Sequence, residues 1–210
     1  MSLVKDVFSN TRKPTDTKAG WKMLRSMNRG HRSGNNWSLD QLPPHKFQSI
    51  LDVGCGGGQI LSDLHYRYPS AQLAGIDYSP TSVAGTTALN HELVDDGILM
   101  VEEADVAALP FPDSTFDLVT ACETIYFWPD LVDNMREVRR TLKRNGVFMV
   151  SCELDTKWMA FPWTKLIDMN VYNRDEIAHA MEAAGFTGVQ VVRRPGLKGW
   201  ICVMGTNPRR

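Results

Sequence analysis

The chain has 210 residues, 43% hydrophobic and 22% charged, the balance of an ordinary globular protein rather than a disordered or fibrous one. Its 23 Lys and Arg against 24 Asp and Glu leave a formal net charge of −1, so no global positive field exists to drive sequence-independent binding to nucleic acid. The longest apolar runs, Ile50 to Val53 and Val147 to Val150 among them, are too short to span a bilayer, and Met1-Ser2-Leu3-Val4-Lys5-Asp6 carries no apolar export segment; the expectation is a cytoplasmic protein with no membrane partner.

Residues 1–47 read differently from the remainder. They hold Gly20, Gly30, Gly34, Pro14, Pro43 and Pro44 and many basic residues, and no strand pattern. A short helix is expected over 19–28, where Trp21, Leu24 and Met27 or Asn28 fall three or four apart, with Gly30 as its stop. The region is too short to bury a core of its own, so it is expected to cover the domain formed by residues 48–210.

From Gln48 the pattern alternates. Ser49 to Val53 is a short apolar run that breaks into Gly54-Cys55-Gly56-Gly57-Gly58. A helix follows over 60–68, then a second apolar run from Gln72 that ends in Asp77. Ser79 and Pro80 are well suited to the cap and first turn of a helix reaching about 91–94. Residues 98–102 and 116–121 read as the third and fourth strands. Leu131, Met135, Val138 and Leu142 mark a helix, which Asn145-Gly146 is expected to cap before a fifth strand over 147–152. Asn173 and Gly185 bracket a last helix, and two strands over 189–192 and 200–204 meet through Pro195-Gly196. Strands one crossover helix apart predict an α/β fold with a mostly parallel sheet and helices on both faces, closed by an antiparallel hairpin.

In such a sheet, ligands sit outside the carboxyl ends of the strands. Gly54, Gly56 and Gly58 follow the first strand directly, where the lack of a Cβ lets backbone turn sharply and approach a ligand. The dinucleotide fingerprint fails at its sixth position, which is Gln59, and no P-loop Gly-Lys-Ser/Thr is present. Acids stand instead at Asp52, before the loop, at Asp77, ending the second strand, and at Asp105, after the third. A carboxylate in the position of Asp77 can accept hydrogen bonds from both hydroxyls of a ribose.

At these residues the chain resembles the class I S-adenosylmethionine-dependent methyltransferases. Ile50-Leu51-Asp52-Val53-Gly54-Cys55-Gly56-Gly57-Gly58 is similar to their first motif and Gly75-Ile76-Asp77-Tyr78-Ser79 to their second. Glu103-Ala104-Asp105-Val106 through Leu109-Pro110-Phe111 resembles the third, Phe116-Asp117-Leu118-Val119 the fourth strand, and Glu182-Ala183-Ala184-Gly185-Phe186 the helix end before the sixth. The five motifs run in register over about residues 48–205, and Met27-Asn28-Arg29-Gly30-His31 with Trp37 resembles a subset of bacterial small-molecule enzymes.

The resemblance implies a Rossmann-like seven-stranded sheet with a reversed last strand, and transfer of a methyl group from S-adenosylmethionine to a small-molecule acceptor. A non-catalytic cofactor-binding regulator and a nicotinamide-dependent dehydrogenase are the alternatives. It implies that Gly54, Cys55, Gly56 and Gly58 hold the methionine part of the cofactor, with Asp52 supporting the loop. Asp77 would bind ribose, Tyr78 would lie beside adenine, Asp105 and Val106 would contact the base, and Cys122 would line the methionyl side. An Asn/Asp-Pro-Pro-Tyr/Phe signature, typical of enzymes that methylate nucleic-acid bases, is replaced here by Cys122-Glu123-Thr124-Ile125, which argues against a nucleic-acid partner.

Glu123 is then a candidate to orient or deprotonate an acceptor, against the plainer reading of a loop carboxylate. Tyr126, Phe127 and Trp128, with Trp158, Phe161, Trp163 and Tyr172 from the insert 153–172, are candidates for an apolar lid over the acceptor or a hydrophobic plug between helices. Four scattered cysteines, Cys55, Cys122, Cys152 and Cys202, form no Cys-x-x-Cys pair, and the five histidines show no metal-ligand spacing. No metal site is expected.

Overall fold

A computed structural model describes residues 10–156, 161, 163–196 and 199–208. Seven strands form one sheet: β1 (Ser49–Val53), β2 (Gln72–Asp77), β3 (Leu99–Glu103), β4 (Phe116–Cys122), β5 (Leu142–Cys152), β6 (Thr187–Arg193) and β7 (Ile201–Thr206). Their order is β3-β2-β1-β4-β5-β7-β6. β1 pairs in parallel with β2 and β4, β2 with β3, and β4 with β5, whereas β7 runs antiparallel to β5 and β6. The reversed β7 agrees with the hairpin expected at Pro195-Gly196, and Gly196 has the positive φ of 119° that a side chain would resist.

The helices are α1 (Lys18–Leu39), α2 (Gln59–Arg67), α3 (Pro80–Leu89), α4 (His91–Asp95), α5 (Leu131–Thr141) and α6 (Arg174–Ala183), with a 3₁₀ turn over Ile125–Phe127. The central strands send alternate side chains to two apolar layers. Leu51 and Val53 enter one, with Val119, Phe148 and Met135, and Ile50 enters the other, with Leu61, Leu64 and Leu118. Fully burying each such side chain contributes on the order of 1.5–3 kcal/mol. These layers fix the strand ends, and with them the loops that follow.

Caps explain most helix starts. The Ser79 side chain accepts from the Ser82 amide with Pro80 in the first turn, and Asn173 forms a reciprocal box with Glu176. Three sequence expectations are corrected. α1 does not stop at Gly30 but runs on to Leu39, because its second half is held by packing: Gly34 lies against the Trp200 ring, and the Ser38 and Ser151 hydroxyls are hydrogen-bonded at 2.7 Å. The helix begun at Pro80 breaks at Asn90, whose amide donates to the Gly58 and Thr86 carbonyls and accepts from Ser62. Asn145-Gly146 does not cap α5, which ends at Thr141. Asn145, at φ 64°, lies instead at the irregularity within β5, where the pairing with β4 shifts register.

Among the described residues, no helix is long and apolar enough to cross a membrane.

Candidate active site

One cavity of about 580 Å³ opens over the carboxyl ends of β1, β2, β4 and β5. That volume lies within the range of small-molecule and cofactor sites. Its floor is the turn after β1. Gly54, Gly56 and Gly58 have φ of 78°, 54° and 81°, in the region that favours glycine, and Gly54 and Cys55 both donate to the Ile76 carbonyl. The turn is therefore clipped to β2 at the residue before Asp77.

Asp77 is buried, and both its oxygens accept backbone hydrogen bonds: Oδ2 from Gly56 and Oδ1 from Ser79, each at 2.9 Å. Burial pushes its carboxyl above the usual range, while these amides and the Lys13 charge pull it back. Asp52 is more isolated. Oδ1 accepts from the Thr120 hydroxyl at 2.5 Å, and Oδ2 is buried with no partner among the described residues. Burial, reinforced by the Asp77 charge against the Thr120 hydrogen bond, raises the Asp52 carboxyl to about 7. A buried acceptor without a donor, facing a glycine turn, is a place prepared for a polar ligand.

The wall opposite comes from α1 and the segment before it. Met23, Met27, Asn28, Gly30, His31 and Asn35 all line the cavity. The Asn28 amide donates to the Gly57 carbonyl at 2.8 Å, and the Tyr78 hydroxyl donates to the Arg12 carbonyl. Lys13 stands over the Tyr78 ring, 5.2 Å from its centre.

The far end is built after β4 and β5. Glu123 has φ 59°, unusual for a residue with a side chain. The Tyr126 hydroxyl donates to its Oε2 at 3.2 Å, and its Oε1 is buried without a partner among the described residues. Burial first, then the neighbouring Glu153 charge, raises the Glu123 carboxyl to about 8. Burial lowers His31, partly offset by Glu153, whose Oε2 lies 3.9 Å from His31 Nε2.

Of the residues singled out in the sequence, Asp52, Gly54, Cys55, Gly56, Asp77, Tyr78, Cys122, Glu123, Tyr126 and Trp163 line this cavity. Gly58 does not, but its left-handed backbone starts α2. Asp105 is exposed and its side chain accepts from the Ala107 amide, whereas Val106 is buried in the apolar layer; neither lines the cavity. Trp128 does not face the cavity: it is buried and stacked on Phe148 at 6.3 Å, so it serves the plug rather than the lid. Trp158 lies outside the described residues. Sequence spacing missed Glu153 and His31, because β5 and α1 bring them to Glu123 from distant parts of the chain.

Residues 51–150 match the family described as "Methyltransferase domain". Over that stretch, just under half of its length, the chain is similar to class I S-adenosylmethionine-dependent methyltransferase domains. S-adenosylmethionine is the methyl donor of that family. The sterol 4-C-methyltransferase strm-1 of Caenorhabditis elegans is 31% identical over 130 residues, which is 61% of this chain and 34% of the relative. The 27-O-demethylrifamycin SV methyltransferase of Amycolatopsis mediterranei is 30% identical over 105 residues, 50% of this chain and 38% of the relative. The chain thus spans little more than a third of either relative's length. Phosphoethanolamine N-methyltransferase 2 of Haemonchus contortus, solved with S-adenosylmethionine, superposes with a TM-score of 0.77 at 14% identity over 96% of this chain and 60% of that one. At that identity it shares the fold.

Proposed function

We propose that this domain transfers a methyl group from S-adenosylmethionine to a small-molecule acceptor, in the cleft at the carboxyl ends of the strands. The observation that carries the reading is the glycine turn flanked by Asp52 and Asp77 on the floor of a cavity of about 580 Å³. When bound, S-adenosylmethionine supplies a methyl group already activated on a sulfonium. The chain's own residues then need to position, desolvate and orient the partners.

In this reading Asp77 accepts the ribose hydroxyls. Its two oxygens hold the Gly56 and Ser79 amides, with the Ser82 side chain also donating, which leaves acceptor capacity on the carboxylate as a whole. Tyr78 marks the adenine side, with Asp105 close enough for its charge to act on the Tyr78 hydroxyl. Gly54, Cys55 and Gly56 leave backbone room for the methionine part, and the partnerless Asp52 Oδ2 faces that part. Cys122 lines the methionyl side. Of the N-terminal cover expected over residues 1–47, the described residues 10–47 act as that cover, with Asn28 and the Arg12 carbonyl tying it to the turn and to Tyr78; residues 1–9 lie outside the described residues. Glu123, with Tyr126 and Trp163 nearby, stands against the acceptor. The name of the rifamycin relative supports a small-molecule acceptor of bacterial type.

Calorimetry tests the reading. S-adenosylhomocysteine is expected to bind in the micromolar range, with no competition from NAD. Asp77→Ala is expected to weaken that binding by about 1–3 kcal/mol, because two hydroxyls lose a charged acceptor. Heat with NAD and none with S-adenosylhomocysteine would refute the assignment, and an Asp77→Ala protein that binds normally would move the ribose elsewhere.

A further inference from the structure

We propose that His31, Glu123 and Glu153 form a site for one divalent transition-metal ion at the acceptor end of the cleft. One ligating atom from each side chain lies within 4.8 Å of the other two. Around an ion with bonds of about 2.0–2.2 Å, neighbouring ligand atoms sit about 3 Å apart and opposite ones about 4 Å apart. Small side-chain rotations close the present spacing to that.

The three residues come from three separate elements. His31 is on α1, and Glu123 and Glu153 each follow the end of a strand, β4 and β5, that pair side by side. All three line the cavity. Glu123 is held in a rare backbone conformation, with one oxygen tied to the Tyr126 hydroxyl, the Glu153 amide also acting on the carboxyl, and Oε1 buried without a short hydrogen bond among the described residues. Among the described residues the only cationic or basic side chain within ion-pair distance of either carboxylate is His31, at 3.9 Å from Glu153. Two carboxyl groups thus converge on one imidazole at the mouth of two neighbouring strands. The His31 ring is braced edge-on by Trp200 at 6.3 Å, and Tyr126 braces Glu123, as neighbours of a metal site commonly do.

The donor set selects the ion. One imidazole nitrogen and two carboxylates suit manganese, iron(II), cobalt or zinc. They suit calcium and magnesium less, since these favour all-oxygen sites, and copper(I) less, since it favours sulfur. Three protein ligands leave coordination positions open toward the cavity. An acceptor hydroxyl that binds there loses its proton to water more readily, and its oxygen is fixed for attack on the methyl group. That role rests on the methyltransferase reading, whereas the site itself rests only on the three side chains.

The test uses the full chain, dialysed against chelator and then titrated with MnCl₂. Loss of the free-ion electron paramagnetic resonance signal reports uptake. One Mn²⁺ per chain at micromolar concentration is expected, with ZnCl₂ competing and MgCl₂ at least tenfold weaker. His31→Ala, Glu153→Gln and Glu123→Gln, each checked for fold by circular dichroism, are each expected to weaken uptake at least tenfold. No uptake at millimolar Mn²⁺, or uptake unchanged in all folded variants, overturns the site. S-adenosylhomocysteine binding by the metal-free protein is measured alongside. If it binds while Mn²⁺ does not, the metal site fails and the methyltransferase reading stands; Mn²⁺ uptake without S-adenosylhomocysteine binding is the reverse.

Discussion

Replacing Asp52 with Asn is expected to raise the melting temperature of the cofactor-free protein at pH 8 and to weaken S-adenosylhomocysteine binding at least tenfold. Both effects come from one buried group. The Asp52 carboxyl titrates near 7 in the folded chain, against 3.8 for an ordinary aspartate. Between those values the native state holds a proton that the unfolded state has released. The stability this gives is complete below pH 3.8 and is lost as pH rises through 7. A shift of about three pH units corresponds to about 4 kcal/mol that the ionised carboxylate takes away at pH 8.

Asparagine removes that charge, keeps the shape, and keeps the oxygen that accepts from Thr120. Its amide lacks an acceptor where Oδ2 stood, which offsets about 1–3 kcal/mol. A net gain of about 1–3 kcal/mol, or about 2–12 °C, is expected. The wild-type melting temperature should fall from pH 5 to 8 more steeply than that of Asp52→Asn. Binding moves the other way, because the cationic amino-acid end of the ligand loses an ionised partner, worth about 1.5–3 kcal/mol. Parallel melting profiles with equal ligand affinity would remove Asp52 from the site.

Gly54→Val is expected to abolish measurable S-adenosylhomocysteine binding, a loss of at least a hundredfold, and to lower the melting temperature by several degrees. A Cβ at Gly54 would lie 2.2 Å from the Thr124 hydroxyl and 2.7 Å from its Cβ. The backbone there has φ 78°, which adds about 1–2 kcal/mol of strain. Thr124 would be driven toward the 3₁₀ turn, dragging Glu123 with it. Gly56→Ala separates the two causes, because φ is 54° and nothing lies within 4 Å of the added Cβ. It should show the strain alone, as a loss of about tenfold or less. Equal losses in the two variants would mean that contact with Thr124 does not matter.

The strands, the glycine turn and Asp77 were legible because each is written locally: an apolar run, the turn that ends it, the acid at the next strand end. Tertiary packing set what was not. Gly30 reads as a stop only if α1 stands alone, but Trp200 on Gly34 and Ser151 on Ser38 hold the helix together beyond it. Trp128 has the same aromatic character as Trp163, and only the stacking on Phe148 decides that it faces inward. The meeting of His31 with Glu123 and Glu153 has no local spacing at all. It exists because β4 and β5 are neighbours and α1 crosses their ends.

That adjacency divides the cleft by strand. The glycine turn hangs from β1 and is clipped to β2, whereas Glu123 and Glu153 hang from β4 and β5. Cys122 pairs with Ser151, so Glu123 stands level with Cys152 and Glu153 lies one residue further along. On the proposed reading, substitutions at Glu123 and Glu153 would change acceptor preference while leaving in place the two hydrogen bonds that clip the glycine turn to the Ile76 carbonyl.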